Sequence, residues 1–153
     1  MNLLSMMNAQ FESIYPLAEI AGFEVTPNDI NRIIEIAQIS LPGMLQEIWE
    51  NGKLYGLKVK GTSIIIQLCY PMDILDMDEN YPYFKEDVQA GLIFATDLGE
   101  EIYYYGIGRD GLGLYIAGAG DGNFYEEATK FASTFEDFFI DGKGIEILKE
   151  YYK

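Results

Sequence analysis

Leu41-Pro42, followed by Leu45, Ile48 and Trp49 and closed by Asn51-Gly52, reads as a short helix with a defined beginning and end. Proline disfavours the α conformation in the residue before it and suits a first helical turn, so Leu41-Pro42 ends one helix and starts the next. Asn51-Gly52 ends the second, because glycine takes the left-handed conformation that a C-terminal cap needs. Trp49 is expected at the seam between this helix and a sheet, and buried there.

Working upstream, Thr26-Pro27-Asn28-Asp29 starts the preceding helix: Thr caps, Pro takes the first helical position, and the Asp carboxylate can reach back to the cap amide. Ile30, Ile33, Ile34 and Ala37 then keep the spacing of one buried helical face. An earlier helix is expected around residues 10–21, interrupted by Pro16. Downstream of Lys53 the period changes. Leu54, Leu57 and Val59, then Ser63 to Tyr70, Leu92 to Thr96, Glu101 to Tyr105 and Leu112 to Ala117 read as strands. Their short glycine-containing gaps predict antiparallel hairpins. Pro71 to Gln89, acidic and proline-containing, reads as a long surface connection with one turn of helix near Phe84 to Val88. Ser133-Thr-Phe-Glu136 is a second capping box opening a helix with Phe135, Phe138 and Phe139 on its apolar face. Asp141-Gly142-Lys143-Gly144 breaks it, and Ile145, Leu148 and Tyr152 mark a last helix. The fold class is α+β in one domain, residues 1–153. An antiparallel-rich sheet, with mixed pairing as the alternative, is packed against N-terminal and C-terminal helices.

The order of these marks resembles the SUKH superfamily, which includes the yeast Smi/Knr cell-wall assembly regulator and many bacterial immunity proteins. The resemblance runs from about Asp29 to the C-terminus. It is carried by Leu41-Pro42, Trp49, Asn51-Gly52, Phe94-Ala95, Asp97, Gly99, Tyr103 to Tyr105, and Ser133 with Phe135 and Phe138. The sequence departs at Leu98, where the family more often carries a small residue or glycine. The resemblance implies the fold and a protein-binding role, and it brings no catalytic motif with it.

A chain of 153 residues, 49% of them hydrophobic, can bury a substantial core. It has no histidine, which excludes Ser-His and Cys-His nucleophile pairs, His-containing zinc sites and imidazole proton shuttles. The lone Cys69 has no intramolecular disulfide partner and sits in an apolar run, so a reducing compartment is expected. The start of the chain lacks a basic region and a long apolar core, and no run approaches the ~18 apolar residues of a membrane span. Ten Lys plus Arg against 25 Asp plus Glu give a net charge of −15. Such a charge repels phosphate backbones and anionic lipid and attracts a basic partner.

Several motifs invite a sharper reading. Gly106-Ile-Gly108-Arg-Asp-Gly111 spells a dinucleotide-binding fingerprint, but the segment after it reads as a strand, so the phosphate-binding helix N-terminus is missing and a hairpin turn through Asp110-Gly111 is expected. Asp76-Met-Asp78-Glu79-Asn80 with Asp87 imitates a calcium loop. Tyr81 stands where that loop needs glycine and Asp87 where it needs a bidentate Glu, so no metal is expected. Asp97 with Glu100 or Glu101 could pair as in a glycosidase, but Asp97-Leu-Gly-Glu reads equally as a hairpin in which Asp caps its own turn. Alternation places Tyr104 on the face opposite Tyr103 and Tyr105.

The acid is concentrated: between Asp73 and Glu101 stand nine acidic residues and one lysine, Lys85. The expectation is a non-enzymatic protein without cofactor, metal or catalytic residues, binding neither nucleic acid nor membrane. As a cytoplasmic immunity protein, monomeric or a simple homodimer, it would neutralise a basic, nuclease-type toxin domain. The candidate partner-binding residues are Asp76, Asp78, Glu79, Asp87, Glu100, Glu101, Tyr103 and Tyr105, the two tyrosines because interfaces favour such rings. The alternative is a regulatory or scaffold module of the cell-wall-regulator kind.

Overall fold

A computed structural model describes residues 6–16, 25–51, 54–80, 83–120 and 123–153. The chain is α+β, with a seven-stranded sheet in which every neighbouring pair is antiparallel and the strands lie in sequence order. The elements are β1 (Phe11–Pro16), α1 (Pro27–Ala37), α2 (Gly43–Asn51), β2 (Leu54–Val59), β3 (Ile65–Leu68), α3 (Pro71–Asn80), α4 (Tyr83–Asp87), β4 (Gly91–Thr96), β5 (Glu101–Gly108), β6 (Gly111–Gly118), β7 (Thr129–Ala132), α5 (Phe135–Phe139) and α6 (Ile145–Tyr151).

The capping box at α1 forms as read: Thr26 Oγ1 accepts from the Asp29 amide at 3.2 Å and Asp29 Oδ2 from the Thr26 amide at 3.4 Å. The helix ends at Ala37, before Leu41-Pro42, because Gln38 turns left-handed at φ +53°. Pro42 then precedes α2 as its cap residue, its carbonyl accepting from the Gln46 amide. α2 runs to Asn51, and Gly52 lies outside the described residues. Two hydrogen bonds in opposite directions fasten α2 to the end of β3. Trp49 Nε1 donates to the Cys69 carbonyl at 2.9 Å, and the Tyr70 hydroxyl donates to the Ile48 carbonyl at 3.2 Å. Trp49 is 2% exposed, as the sequence predicts.

Three sequence expectations are corrected. Residues 11–16 are strand rather than helix: Phe11, opposite Val59 on the sheet's edge, buries its ring against Phe138 and Phe139. Residues 17–24 lie outside the described residues. Pro71–Asn80 is a ten-residue helix rather than a surface connection. Its start has a cap the acidity disguises, Asp73 Oδ2 accepting from the Tyr70 amide at 2.9 Å, and Ile74 anchors it in the core. The cap of α5 is Thr134, one residue later than read, its hydroxyl accepting from the Asp137 amide at 3.0 Å. β7, four residues at the opposite edge, carries too little alternation to be read from sequence.

The main core lies on one face of the sheet, where α1, α2, α3, α5 and α6 bury Ile33, Leu45, Ile48, Trp49, Ile74, Phe135, Phe138 and Leu148 against Leu57, Ile66, Phe94, Tyr103, Tyr105 and Ile116. A smaller core on the other face packs Phe84 and Val88, with Phe124 and Ala128, on Ile102, Tyr104, Tyr115 and Ala117. The alternation across Tyr103, Tyr104 and Tyr105 is therefore present, and both faces are covered. Tyr104 and Tyr115 stack at 4.8 Å, leaving no room for a Cβ on Gly108, which would come within 2.6 Å of Tyr115 Cζ. Arg109 and Asp110 form the hairpin turn and Gly111 follows at φ +91°, so the glycine pattern serves a hairpin and a stacked ring pair.

Truncating Trp49 removes both ring and donor from this seam. Trp49→Ala is expected to cost about 3–5 kcal/mol in denaturant unfolding.

Candidate functional site

Acid that is contiguous in the sequence is divided in space. Asp73, Asp76 and Glu79, three residues apart, are exposed on α3, while Ile74, Met77 and Asp78 turn inward. The inward residues line a small cleft with Ile36, Phe84, Lys85, Gly91, Leu92 and Ile93, at the start of β4. The cleft leaves about 30 Å³ open to the centres of water molecules, where roughly 10–15 Å³ suffices to hold one. Glu100 and Glu101 stand beyond the other end of β4, which spans six residues at ~3.3 Å each, about 20 Å. Asp87, at the end of α4, is committed inward: its Oδ2 accepts from the Phe124 amide at 3.0 Å.

The cleft exists because β3 is short. β3 and β4 pair only at Gln67 with Thr96 and Leu68 with Ala95, followed by the Cys69 amide donating to the Phe94 carbonyl. On the edge away from β5, the first half of β4 therefore meets α3 and α4 instead of a strand. Lys85 closes the gap. Its Nζ donates to the carbonyls of Gln89 and of Gly91, the latter at 3.2 Å, and reaches the Ala37 carbonyl at the end of α1 at 3.5 Å. Burial pushes its pKa down and Asp78 opposes the shift. An ammonium whose donors are held by main-chain carbonyls is a structural clamp, and its position as the one lysine in the acidic run is the signal for it.

The second acidic group sits on a braced turn. Asp97 Oδ1 accepts from the amides of Gly99 at 2.8 Å and Glu101 at 3.1 Å, so Asp97 caps its own turn as read. Asp97 Oδ2 accepts from the Tyr152 hydroxyl at 2.9 Å. That hydroxyl lies 3.1 Å from the hydroxyl of Tyr103, which donates to the Ile65 carbonyl. Tyr151 donates to a Glu101 carboxylate oxygen. The end of α6 is thus tied to the β4–β5 turn through both of its tyrosines, a network the sequence analysis did not anticipate. Burial raises the pKa values of Tyr152, Tyr103 and Tyr104. At Tyr152 the neighbouring Tyr103 and Asp97 add to the rise.

The expectation that Tyr103 and Tyr105 present their rings to a partner is corrected: they are 0% and 9% exposed and belong to the main core. The exposed apolar side chain in this region is Leu98, 59% exposed and left-handed at φ +65°. The carboxylate pair of Asp97 and Glu101 is engaged by backbone amides and tyrosines, an arrangement that builds a turn. Among the described residues, no group of three or more Cys, Asp or Glu is placed to hold a metal ion, and residues 76–80 of the calcium-like pattern are helical. No helix among the described residues is long and apolar enough to cross a membrane. Comparison of the sequence with protein-family models and with curated proteins finds no match.

Two predictions follow from the braced turn. A tyrosine whose native pKa is raised contributes stability that is complete below its ordinary value near 10 and lost as pH rises from there. Lys85, shifted down, acts in the opposite sense, since its native form releases a proton before the unfolded form does. Melting temperature is therefore expected to fall above about pH 10, and less steeply in Tyr152→Phe, which at neutral pH loses roughly 1 kcal/mol with its hydrogen bond. Separately, a left-handed Leu costs about 1–2 kcal/mol, partly balanced by the greater freedom of an unfolded glycine, so Leu98→Gly is expected to raise unfolding free energy by about 0.5–1 kcal/mol.

Proposed function

We propose that this chain is a non-enzymatic immunity protein of the SUKH type, which binds and neutralises a basic, nuclease-type toxin domain in the cytoplasm. The observation that carries the reading is the placement of its acid. Of a net charge of −15, the carboxylates of Asp73, Asp76 and Glu79 form an exposed stripe on α3, and Glu100 and Glu101 flank the braced turn at the far end of β4. Lys58 and Lys143 pair with Glu12 and Asp137, on β1 and α5, while Lys149 and Lys153 pair with Glu146 and Glu150 at the end of α6 that braces the turn. A nuclease groove is basic because it holds a polyanion, and an acidic surface steers toward it. Fast encounter matters where inhibition must outrun damage. The resemblance carried by Leu41-Pro42, Trp49, Phe94-Ala95 and Asp97 supports the same assignment, and the lack of histidine removes the commonest catalytic constellations.

The test first asks whether a toxin domain is encoded beside this chain's gene and then uses a catalytically inactive form of that domain. Reversing Asp76 and Glu79 to Lys is expected to slow association several-fold and flatten its salt dependence, because peripheral charges act mainly on the on-rate. Unfolding free energy should hardly change. Asp78 is left native because it faces the Lys85 cleft. The control reverses Glu126 and Glu127, exposed on the segment over the other sheet face. Equal slowing by both reversals would mean that net charge alone matters. Failure to form a complex would contradict the function.

A further inference from the structure

Leu98 is the residue whose presence the fold does least to explain. The β4–β5 turn closes through Asp97, whose carboxylate accepts from the Gly99 and Glu101 amides, and nothing in that closure requires an apolar side chain at the next position. The backbone there is left-handed at φ +65°, a conformation glycine or asparagine adopts without the Cβ clash that Leu suffers. Burial does not offset the strain, since Leu98 is 59% exposed. Gln38, the other described non-glycine residue with positive φ, is polar and ends α1 by donating its amide to the Ile34 carbonyl. The exposed Ile107 and Leu112 lie in regular strands and Met72 in a helix, all in relaxed backbone.

Strained residues persist where the surroundings over-determine them, and they concentrate at ligand contacts. The surroundings here do so. Tyr152 donates to Asp97, Tyr151 donates to Glu101, and Tyr103 is linked through Tyr152 to the same turn. Leu98 is thus held out by a fixed scaffold, so little ordering cost remains when a partner covers it. Around it stand the carboxylates of Asp97, Glu100 and Glu101, with Glu100 exposed and the other two half-buried.

We propose that Leu98 is the apolar anchor of a protein-binding site at the β4–β5 turn, entering an apolar socket on a basic protein whose Lys or Arg side chains meet Asp97, Glu100 and Glu101. This rests on the reading of the chain as a binder of a basic protein, and it assigns the strength of the complex to this turn while the α3 stripe sets its speed. An apolar centre within a polar rim is the common anatomy of a protein–protein interface.

The test needs no knowledge of the natural partner. A random dodecapeptide phage library is selected on the immobilised wild-type protein, and the enriched peptides are measured against variants. Enriched peptides are expected to carry a large apolar residue flanked by Lys or Arg. They should bind Leu98→Gly at least tenfold more weakly, Leu98→Met within about threefold of wild type, and Met72→Ala unchanged. Leu98→Gly relieves strain, so a loss of binding there does not report misfolding. Basic peptides that bind Leu98→Gly as tightly as wild type would overturn the anchor while leaving the binder reading intact. Enrichment of non-basic peptides, or no enrichment, would overturn both.

Discussion

The paired hydrogen bonds between α2 and the end of β3 constrain the rest of the molecule. Trp49 reaches the Cys69 carbonyl and Tyr70 reaches the Ile48 carbonyl, so helix and strand end are held at two points with both side chains buried. This anchorage turns the chain out of the sheet after Cys69, whose amide still donates to the Phe94 carbonyl, and starts α3 at Pro71. β3 consequently covers only the last part of β4. The open edge must be satisfied by other means, because unpaired buried carbonyls are costly. The Lys85 ammonium does this at the Gly91 carbonyl, and the acidic segment that follows β3 is thereby wrapped around the start of β4.

That arrangement decides how the charge can act. At physiological ionic strength the screening length is about 8 Å, so acidic groups at opposite ends of β4 present largely separate local fields. The α3 stripe lies on a helix surface and suits long-range attraction. The turn at Asp97–Glu101 differs in being rigid, braced by two C-terminal tyrosines and carrying an apolar side chain. The proposed division of labour between attraction and holding rests on these structural differences.

Much of the fold is legible in the sequence because its signals are local. The Thr26–Asp29 box, the strands from Leu54 to Ala117, the phenylalanines of α5 and the burial of Trp49 all depend on spacing and caps within a few residues. The errors occur where tertiary context overrides composition. α3 is a helix despite its acid, since Asp73 caps the Tyr70 amide and Ile74 and Met77 find an apolar neighbour in α1 and β4. β1 and β7 are edge strands whose pairing partners are distant or short, which no local pattern announces. Asp97 capping its own turn is readable from Asp-x-Gly. Its brace by Tyr151 and Tyr152, about fifty residues away, is not. Tyr103 and Tyr105 resemble interface residues by type alone. Only the sheet's covering on both faces shows that they are core.

The central test is amide hydrogen exchange of this chain, free and in complex with the inactive form of the proposed toxin domain. Slowed exchange is expected only at residues 97–101 and the exposed side of α3, with residues 123–128 over the opposite face unchanged. Slowed exchange at 123–128 alone, or none at the β4–β5 turn, would contradict the proposed site.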